Sequence, residues 1–250
     1  MIDAGISCRE TEKRMKRLEL SMKKVKAIFI THEHADHIAG VAKISKKYKV
    51  PVYITNSTRT NSRLHLSDDT AIHFRGNEVI RIGSFTVTAF PKFHDAADPY
   101  NFIVECNKIT VGVFTDIGKV CGHLKKHFAI CHAAFLEANY DEGMLETGGY
   151  PLFLKDRIRD GMGHLSNKQA LQLFVDHKPP FMSHLLLSHL SKHNNNPEIV
   201  EELFKAVAGR TKIIIASRKT ETPVYQIGAM RPRWKQEIQL SLFDQALMLK

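Results

Sequence analysis

The chain has 250 residues, 43% of them hydrophobic, which suits one large domain or two small ones with a substantial core. Its 36 lysines and arginines against 26 acidic residues give a net charge of +10. This surplus favours a polyanionic partner such as nucleic acid, although surface lysines that only maintain solubility would give the same count.

Hydrophobic periodicity predicts strands and helices along the whole chain. Strands are predicted at 26–30, 52–54, 78–82, 85–90, 102–105, 109–114, 129–137, 184–190 and 212–216. Helices are predicted at 38–48, 167–176 and 197–208. Gly83-Ser84 and Asn107-Lys108 fit hairpin turns. The strands come first as hairpins and later alternate with helices, which predicts an α+β fold.

Cysteine usage and the N-terminus predict a cytoplasmic protein. The cysteines contain no C-x-x-C pair and resemble no disulfide framework, which fits a reducing compartment. Met1-Ile2-Asp3 becomes charged too early for a signal peptide. No apolar run approaches the roughly 20 residues of a membrane helix, so we expect no membrane contact. The four cysteines are Cys8, Cys106, Cys121 and Cys131.

Histidine is unusually frequent, with 14 residues, and four potential metal ligands lie within one short segment after the strand at 26–30. His32 and His34 stand at i and i+2, so both can point to the same side of an extended chain and bind one ion. The chain then turns into a helix, where Asp36 and His37 can face a second ion. This density of ligands predicts a two-metal site, because histidine is the commonest metal ligand near neutral pH.

The order H-x-H-x-D-H resembles the signature of the metallo-β-lactamase superfamily, and the other superfamily motifs follow in order at Asp3, His94, Asp116 and His189. The resemblance implies an αββα four-layer sandwich and a divalent metal site. The implied ligands of one ion are His32, His34 and His94, those of the second are Asp36, His37 and His189, and Asp116 bridges both. Asp3 would support the site. Because all ligands are nitrogen or oxygen, zinc, manganese and iron all stay open.

Finer motifs resemble the YycJ/WalJ branch of bacterial exonuclease-like proteins, which are linked to DNA processing. The motifs are His94–Pro99, Gly163–Asn167 and His189–Lys192. The resemblance implies a phosphodiesterase, and we expect a 5′–3′ DNA exonuclease that acts in DNA repair or processing. An RNA-processing nuclease, a small-molecule (thio)ester hydrolase and a non-catalytic, clamp-associated scaffold are the alternatives.

Two further motifs resemble those of tRNA 3′-processing enzymes, Phe135–Asn139 and Gly163–Asn167. The resemblance implies that Glu137 orients His164, which donates a proton to the leaving oxygen. We therefore expect Glu137 and His164, together with Asp36, to be catalytic. The alternative is that Glu137 is a surface acid and that His164 only begins a helix.

Substrate and partner residues are predicted near the end of the chain. Ser191, Lys192 and Arg218 follow strand ends and could bind backbone phosphates, or they could be ordinary solvated residues. In the tail, the residues Gln239, Leu240, Ser241, Leu242 and Phe243 resemble the motif that binds the bacterial sliding clamp. A strand or helix docked on the domain is the alternative for this segment. We expect a hydrolase domain at 1–220 and a tail at 221–250.

Relatives with these motifs begin with two strands before the aspartate at position 3, and here those N-terminal strands are missing. Either the start was assigned downstream of the true one, or the strands were lost. Without them, we expect one sheet to expose an edge and part of its core surface.

Overall fold

Ten strands and nine α-helices form within residues 1–228, the part of the chain that the computed structural model describes. The strands are β1 (Ile28–Phe29), β2 (Val52–Ile54), β3 (Ala71–His73), β4 (Val79–Ile82), β5 (Phe85–Pro91), β6 (Tyr100–Cys106), β7 (Ile109–Phe114), β8 (Ala133–Glu137), β9 (His184–Ser188) and β10 (Lys212–Ile215). The helices are α1 (Cys8–Arg17), α2 (Ala35–Ile38), α3 (Val41–Tyr48), α4 (Asn56–Asn61), α5 (Gly122–Phe128), α6 (Glu142–Thr147), α7 (Leu152–Arg159), α8 (Asn167–His177) and α9 (Pro197–Lys205).

The strands form a three-stranded sheet of order β1-β2-β3 and a seven-stranded sheet of order β10-β9-β8-β7-β6-β5-β4. In the larger sheet β4 to β7 pair as antiparallel hairpins, and β7 to β10 are parallel. Both predicted hairpin turns are confirmed, since Gly83 has a φ of 61° and Asn107 and Lys108 have φ of 50° and 64°. Positive φ at these positions matches the right-handed twist of paired strands.

Three hydrophobic cores separate four layers, which confirms the predicted sandwich. One face of the larger sheet packs Phe114 and Leu136 against α5, α8 and α9. Its other face packs Phe102 against Phe29 of the smaller sheet. The far side of the smaller sheet buries Ile28 beneath α3. The order is therefore helices, sheet, sheet, helices.

The smaller sheet covers only part of the larger one. Strand register places Val111, Val113, Phe135 and Ile214 on the same face as Phe102. These four side chains are half-buried, whereas Phe102 is fully buried. Half-buried apolar side chains therefore form a stripe across β7, β8 and β10. The exposed edge and core surface expected from the sequence stay a prediction.

Residues after β10 pack back onto the domain. Arg17 Nε in α1 lies 2.6 Å from Glu221 Oε1, and the Tyr225 ring centroid lies 5.4 Å from that of His184. The segment 221–228 therefore contacts both α1 and β9. The division into a domain at 1–220 and a tail at 221–250 stays a prediction, and the clamp-like segment Gln239–Phe243 lies outside the described residues.

Some element boundaries differ from the sequence predictions. The strand predicted at 129–137 begins only at Ala133, because α5 and a turn occupy the residues before it. The helix predicted at 38–48 is interrupted at Gly40, where a Cβ would lie 2.1 Å from the carbonyl oxygen of Ile6. Six elements were not predicted from the sequence: α1, α4, α5, α6, α7 and β3. Between residues 1 and 228, no helix is both long and apolar enough to cross a membrane.

Candidate metal centre and active-site cleft

The predicted metal motif begins where β1 ends, and Asp3 holds it in place. Asp3 Oδ1 accepts a hydrogen bond from Thr31 N–H at 2.8 Å, and Oδ2 accepts one from Thr31 Oγ1 at 2.7 Å. The same Oδ2 lies 2.7 Å from His37 Nδ1, so His37 presents its Nε2 to the cluster. Gly5 permits this approach, because a Cβ there would lie 1.5 Å from the carbonyl oxygen of Asp36. Asp3 therefore lies behind His37, as a supporting residue would.

The first predicted ligand group consists of three histidines. His32, His34 and His94 offer ring nitrogens that all lie within 4.8 Å of one another. His94 Nε2 is 3.3 Å from His34 Nδ1. Thr31 Oγ1, which already donates to a carboxylate, lies 2.8 Å from His32 Nδ1 and therefore accepts from it. This arrangement leaves His32 Nε2 unprotonated and aimed at the other two rings.

The second predicted group contains Asp36, His37 and His189, whose ligand atoms also lie within 4.8 Å of one another. Asp116 lies between the groups. Its Oδ2 is 3.1 Å from His37 Nε2, and its Oδ1 is 3.2 Å from His189 Nε2 and 3.8 Å from His94 Nε2. Asp116 follows the end of β7 with a φ of 54° and is buried. One carboxylate thus reaches both groups, as a bridging ligand requires.

Neighbouring charges and burial shift the pKa values of several residues in the cluster. Although burial raises the pKa of Asp116, the charges of His189 and Lys92 hold it well below its ordinary range. Although burial lowers the pKa of His37, hydrogen bonds to Asp116 and to a second carboxylate raise it to about 9. Burial and the charge of Lys92 lower the pKa of His32, so that its ring stays neutral.

These residues fit divalent metal ions. His32 is fully buried, yet its Nε2 has no hydrogen-bond partner within the described residues. Buried nitrogens are nearly always paired, so an orphaned lone pair in a cluster of histidines and carboxylates indicates a ligand position. A neutral imidazole with its other nitrogen hydrogen-bonded is the form that binds metal.

Glu137 joins the metal cluster to the predicted proton donor. Its Oε1 lies 2.7 Å from His164 Nδ1 and 3.0 Å from His189 Nδ1, and its Oε2 accepts the Ile117 N–H at 2.6 Å. Glu137 has no exposed surface, so the alternative that it is a surface acid is wrong. Burial raises its pKa, but the charge and hydrogen bond of His164, together with the contact to His189, lower it to about 2. One carboxylate therefore orients two imidazoles.

The ligand groups and His164 open into a cleft of about 290 Å³. Of the predicted phosphate-binding residues, Ser191 and Arg218 line it, and Arg218 Nε donates to the Leu190 carbonyl at 2.7 Å. Lys192 is exposed and does not line the cleft. The lining residues are His34, Asp36, His94, Asp95, Asp116, Asn139, Tyr150, Leu154, Arg157, Ile158, Gly163, His164, His189, Ser191 and Arg218.

Two buried residues near the site were missed by sequence reasoning. Lys92 is almost wholly buried, donates to the Thr115 carbonyl at 2.8 Å and places Nζ 4.0 Å from Asp116 Oδ2. Asn139 Nδ2 donates to the His189 carbonyl at 2.8 Å. Each stands two residues from a predicted site residue and just past the end of a strand, so this i, i+2 spacing was the available signal.

An ion pair in the cleft wall was also missed. Arg157 Nε on α7 donates to Asp95 Oδ2 at 2.7 Å. Asp95 directly follows the predicted ligand His94, but Arg157 lies 62 residues away in the chain. No local pattern predicts a contact of this separation, because only the tertiary fold brings the two segments together.

Two bacterial proteins are similar to this chain over most of its length. Identity is 34% over 203 residues with exodeoxyribonuclease YycJ of Bacillus anthracis, which covers 80% of this chain and 76% of that protein. Identity is 30% over 242 residues with exodeoxyribonuclease WalJ of Streptococcus pneumoniae, which covers 91% of this chain and 89% of that protein. The predicted resemblance to the YycJ/WalJ branch is confirmed.

The fold is shared more widely. The Zn²⁺-bound PqqB from Methylobacterium extorquens superposes with a TM-score of 0.64 at 15% identity, covering 90% of this chain and 82% of that chain, which is a likeness of fold alone. Residues 1–189 match the family described as the beta-lactamase superfamily domain. Together with the two similar bacterial proteins, this match shows that the chain belongs to the metallo-β-lactamase superfamily.

Proposed function

We propose that this chain is a two-metal-dependent phosphodiesterase, a 5′–3′ DNA exonuclease that acts in DNA repair or processing in the cytoplasm. The observation that carries the proposal is that both ligand groups and His164, which is hydrogen-bonded to the buried Glu137, reach one cleft. The net charge of +10 favours a polyanionic substrate. The two similar bacterial proteins are both named exodeoxyribonucleases, which favours DNA.

The two ligand groups would each hold one divalent ion. The residues are His32, His34 and His94 for one ion and Asp36, His37 and His189 for the other, with Asp116 shared. Zinc, manganese and iron all accept such nitrogen and oxygen donors. When bound, two ions of this kind lower the pKa of water and neutralise charge that develops on a phosphate.

We propose that His164 acts as the general acid. Its Nδ1 is bonded to Glu137, so Nε2 is the nitrogen left to donate a proton to the leaving oxygen. The Ile117 N–H fixes the other oxygen of Glu137, which keeps the carboxylate from rotating away. The His164 side chain is 23% exposed whereas that of Glu137 is fully buried. The histidine can therefore contact substrate while its partner stays out of water.

Arg218 and Ser191 are the proposed phosphate-binding residues of the cleft. The Leu190 carbonyl fixes Arg218 through Nε, and a guanidinium held in one place loses less conformational entropy when it binds a phosphate. Lys192, exposed beside the cleft, would contact backbone phosphates outside it.

The proposal is tested by digestion of 5′-labelled double-stranded DNA with added manganese or zinc. We expect release of labelled mononucleotide by the purified chain, loss of this release in Asp116→Ala, and no change in Asp176→Ala on the exposed side of α8. Bound metal is measured by mass spectrometry, and circular dichroism checks folding. A folded, metal-loaded chain that leaves DNA intact but cleaves matched RNA or a thioester would overturn the assignment of DNA.

The proton-donor role of His164 has its own test. A nitrophenolate leaving group departs without a proton, so His164→Ala should lose far more activity on DNA than on bis(p-nitrophenyl) phosphate. Equal losses on both substrates would show that His164 serves structure or metal binding instead.

We also infer a sliding-clamp partner for the segment Gln239–Phe243, which rests on its sequence alone. The full chain should bind a purified bacterial sliding clamp, and the double variant Leu242→Ala/Phe243→Ala should not. Binding that survives this variant would rule out the motif.

A further inference from the structure

Helix α7, one wall of the cleft, contains no buried residue. Phe153 and Leu152 at its start are 74% and 66% exposed, the two largest exposures of any large apolar side chain in residues 1–228. Such surface is favourable to cover, and an apolar patch next to a cleft marks a binding surface.

Polar contacts hold α7 where it is. Arg157 Nε donates to Asp95, and Arg159 Nη1 lies 3.0 Å from Glu146 Oε2. Lys155 Nζ donates to the Glu146 carbonyl. These contacts attach the middle and the C-terminal end of the helix without using its first two apolar side chains. The helix is therefore positioned, yet Phe153 and Leu152 stay free to bind something else.

Helix α7 carries the exposed side chains of Phe153 and Leu152 and also lines the cleft that contains the proposed catalytic groups. Leu154, Arg157 and Ile158, at i, i+3 and i+4, line the cleft together with His164. Phe153 stands four residues before Arg157, so the two are neighbours on the helix surface. A phosphodiester bound at the metal centre would carry its sugar and base past this stripe.

We propose that Phe153, with Leu152 beside it, stacks on the nucleobase next to the scissile phosphate; this inference rests on the proposed phosphodiesterase function. A nucleobase offers a flat apolar face on a negatively charged backbone. The matching protein surface is an exposed aromatic ring among cations, which α7 supplies with Phe153, Lys155 and Arg157. A base in the interior of a duplex has both faces stacked on its neighbours, so this surface suits a base at a strand end that is unpaired.

Stacking on an aromatic side chain makes a measurable contribution to binding affinity and has no base preference. It is tolerant of sequence, because every base has a π-face. We therefore expect Phe153→Ala to raise the Kd for a single-stranded oligonucleotide about tenfold. Phe153→Trp should keep native affinity. Phe85→Ala is the matched control, since Phe85 is 48% exposed on β5 and lies outside the cleft.

The decisive experiment is a double-mutant cycle with an abasic nucleotide. Kd is measured by fluorescence anisotropy for native protein and Phe153→Ala, each with an intact oligonucleotide and with one that lacks the base next to the scissile phosphate. Removal of the base should weaken the native protein about tenfold and leave Phe153→Ala nearly unaffected. Bound metal and melting temperature should be equal in both proteins, so that a change in Kd reflects binding alone.

Two outcomes would overturn the inference: unchanged Kd in Phe153→Ala, or an equal loss on base removal in both proteins. Failure of the proposed function would look different. A folded, metal-loaded native chain would then hydrolyse neither DNA nor bis(p-nitrophenyl) phosphate, whatever the effect of Phe153→Ala on binding.

Discussion

The floor and the rim of the cleft are built in opposite ways. The floor, which we define as Asp116, Glu137 and Lys92, consists of charged side chains that are almost wholly buried. The rim, which we define as helix α7, has no buried residue and is held by ion pairs. The floor is therefore as buried as a hydrophobic core although its side chains are charged, whereas the rim is as exposed as ordinary protein surface.

Under the proposed function, this difference separates catalysis in the floor from substrate binding at the rim. A buried charge that loses its partner costs several kcal/mol, so a substitution in the floor affects stability, metal binding and catalysis together. Exposed ion pairs contribute at most about 1 kcal/mol, so rim residues can change with little effect on folding. We expect floor variants to lose turnover or stability and rim variants to change affinity alone.

The largest effect is expected for Glu137→Gln. An amide of the same shape removes the charge that orients His164 and His189, so DNA turnover should fall about 100-fold to 10,000-fold, the usual range for general acid–base catalysis. Steady-state kinetics at saturating metal measures the effect, with Glu198→Gln on α9 as control. If Glu137→Gln kept native turnover, the charge of Glu137 would have no part in catalysis.

Lys92→Met should come next, as an effect on stability. Loss of a buried cation beside Asp116 should destabilise the metal-free protein by about 3 kcal/mol. The loss should be smaller with metal bound, because metal cations then compensate the same carboxylate. Urea denaturation with and without chelator measures both values, with the exposed Lys205→Met as control. Equal losses in both conditions would contradict this charge compensation.

Arg157→Ala tests the rim and should have a smaller effect. The guanidinium is 60% exposed, so its pair with Asp95 should contribute less than about 1 kcal/mol to folding. We expect a nearly native melting temperature and a KM for DNA raised severalfold, because α7 loses its anchor beside His94. Arg159→Ala, on the same helix but paired with Glu146, should leave KM nearly unchanged. A large drop in melting temperature for Arg157→Ala would show that Arg157, like the floor residues, stabilises the fold.

The smallest effect is expected at the ion pair between Arg17 and Glu221, which lies outside the cleft and serves as a reference for exposed pairs. Arg17 lowers the pKa of Glu221 from an ordinary value of 4.5 to about 2. The pair therefore stabilises the fold above pH 4.5, and its contribution is lost as the pH falls towards 2. The melting temperature of Glu221→Gln should lie slightly below native at pH 7 and approach it near pH 3. A constant difference over this range would contradict the prediction.

Local pattern predicted much of the fold and of the metal centre. The segment His32–His37 contains predicted metal ligands at spacings that a strand end and a helix start place on one side. Strands such as β2 and β7 and the hairpin turns at Gly83 and Asn107 were predicted because alternation and turn chemistry are local properties. Helix α1 was missed because only Cys8 and Thr11 in it are buried, which leaves too weak an apolar stripe.

Contacts between distant segments could not be predicted in the same way. Glu137 and His189 are 52 residues apart, and their 3.0 Å contact exists because β8 and β9 are parallel neighbours. The resemblance to nucleases suggested the Glu137–His164 pair, but no pattern indicated that Glu137 also orients His189. The sequence does not distinguish Lys92 from an ordinary surface lysine, because only the fold places Asp116 beside it.

By itself, the sequence determined which chemical groups this protein can use: histidines and carboxylates in a fixed order, alternating strands and a basic surplus. Only the tertiary structure decided which of those groups are buried together and which face water. It gathered Asp3, His32, His94, Asp116 and His189 from separate segments into one centre, and it left Phe153 uncovered at the rim. The physical reason is that burial depends on neighbours distant in the chain, whereas spacing and turn geometry depend on the chain alone.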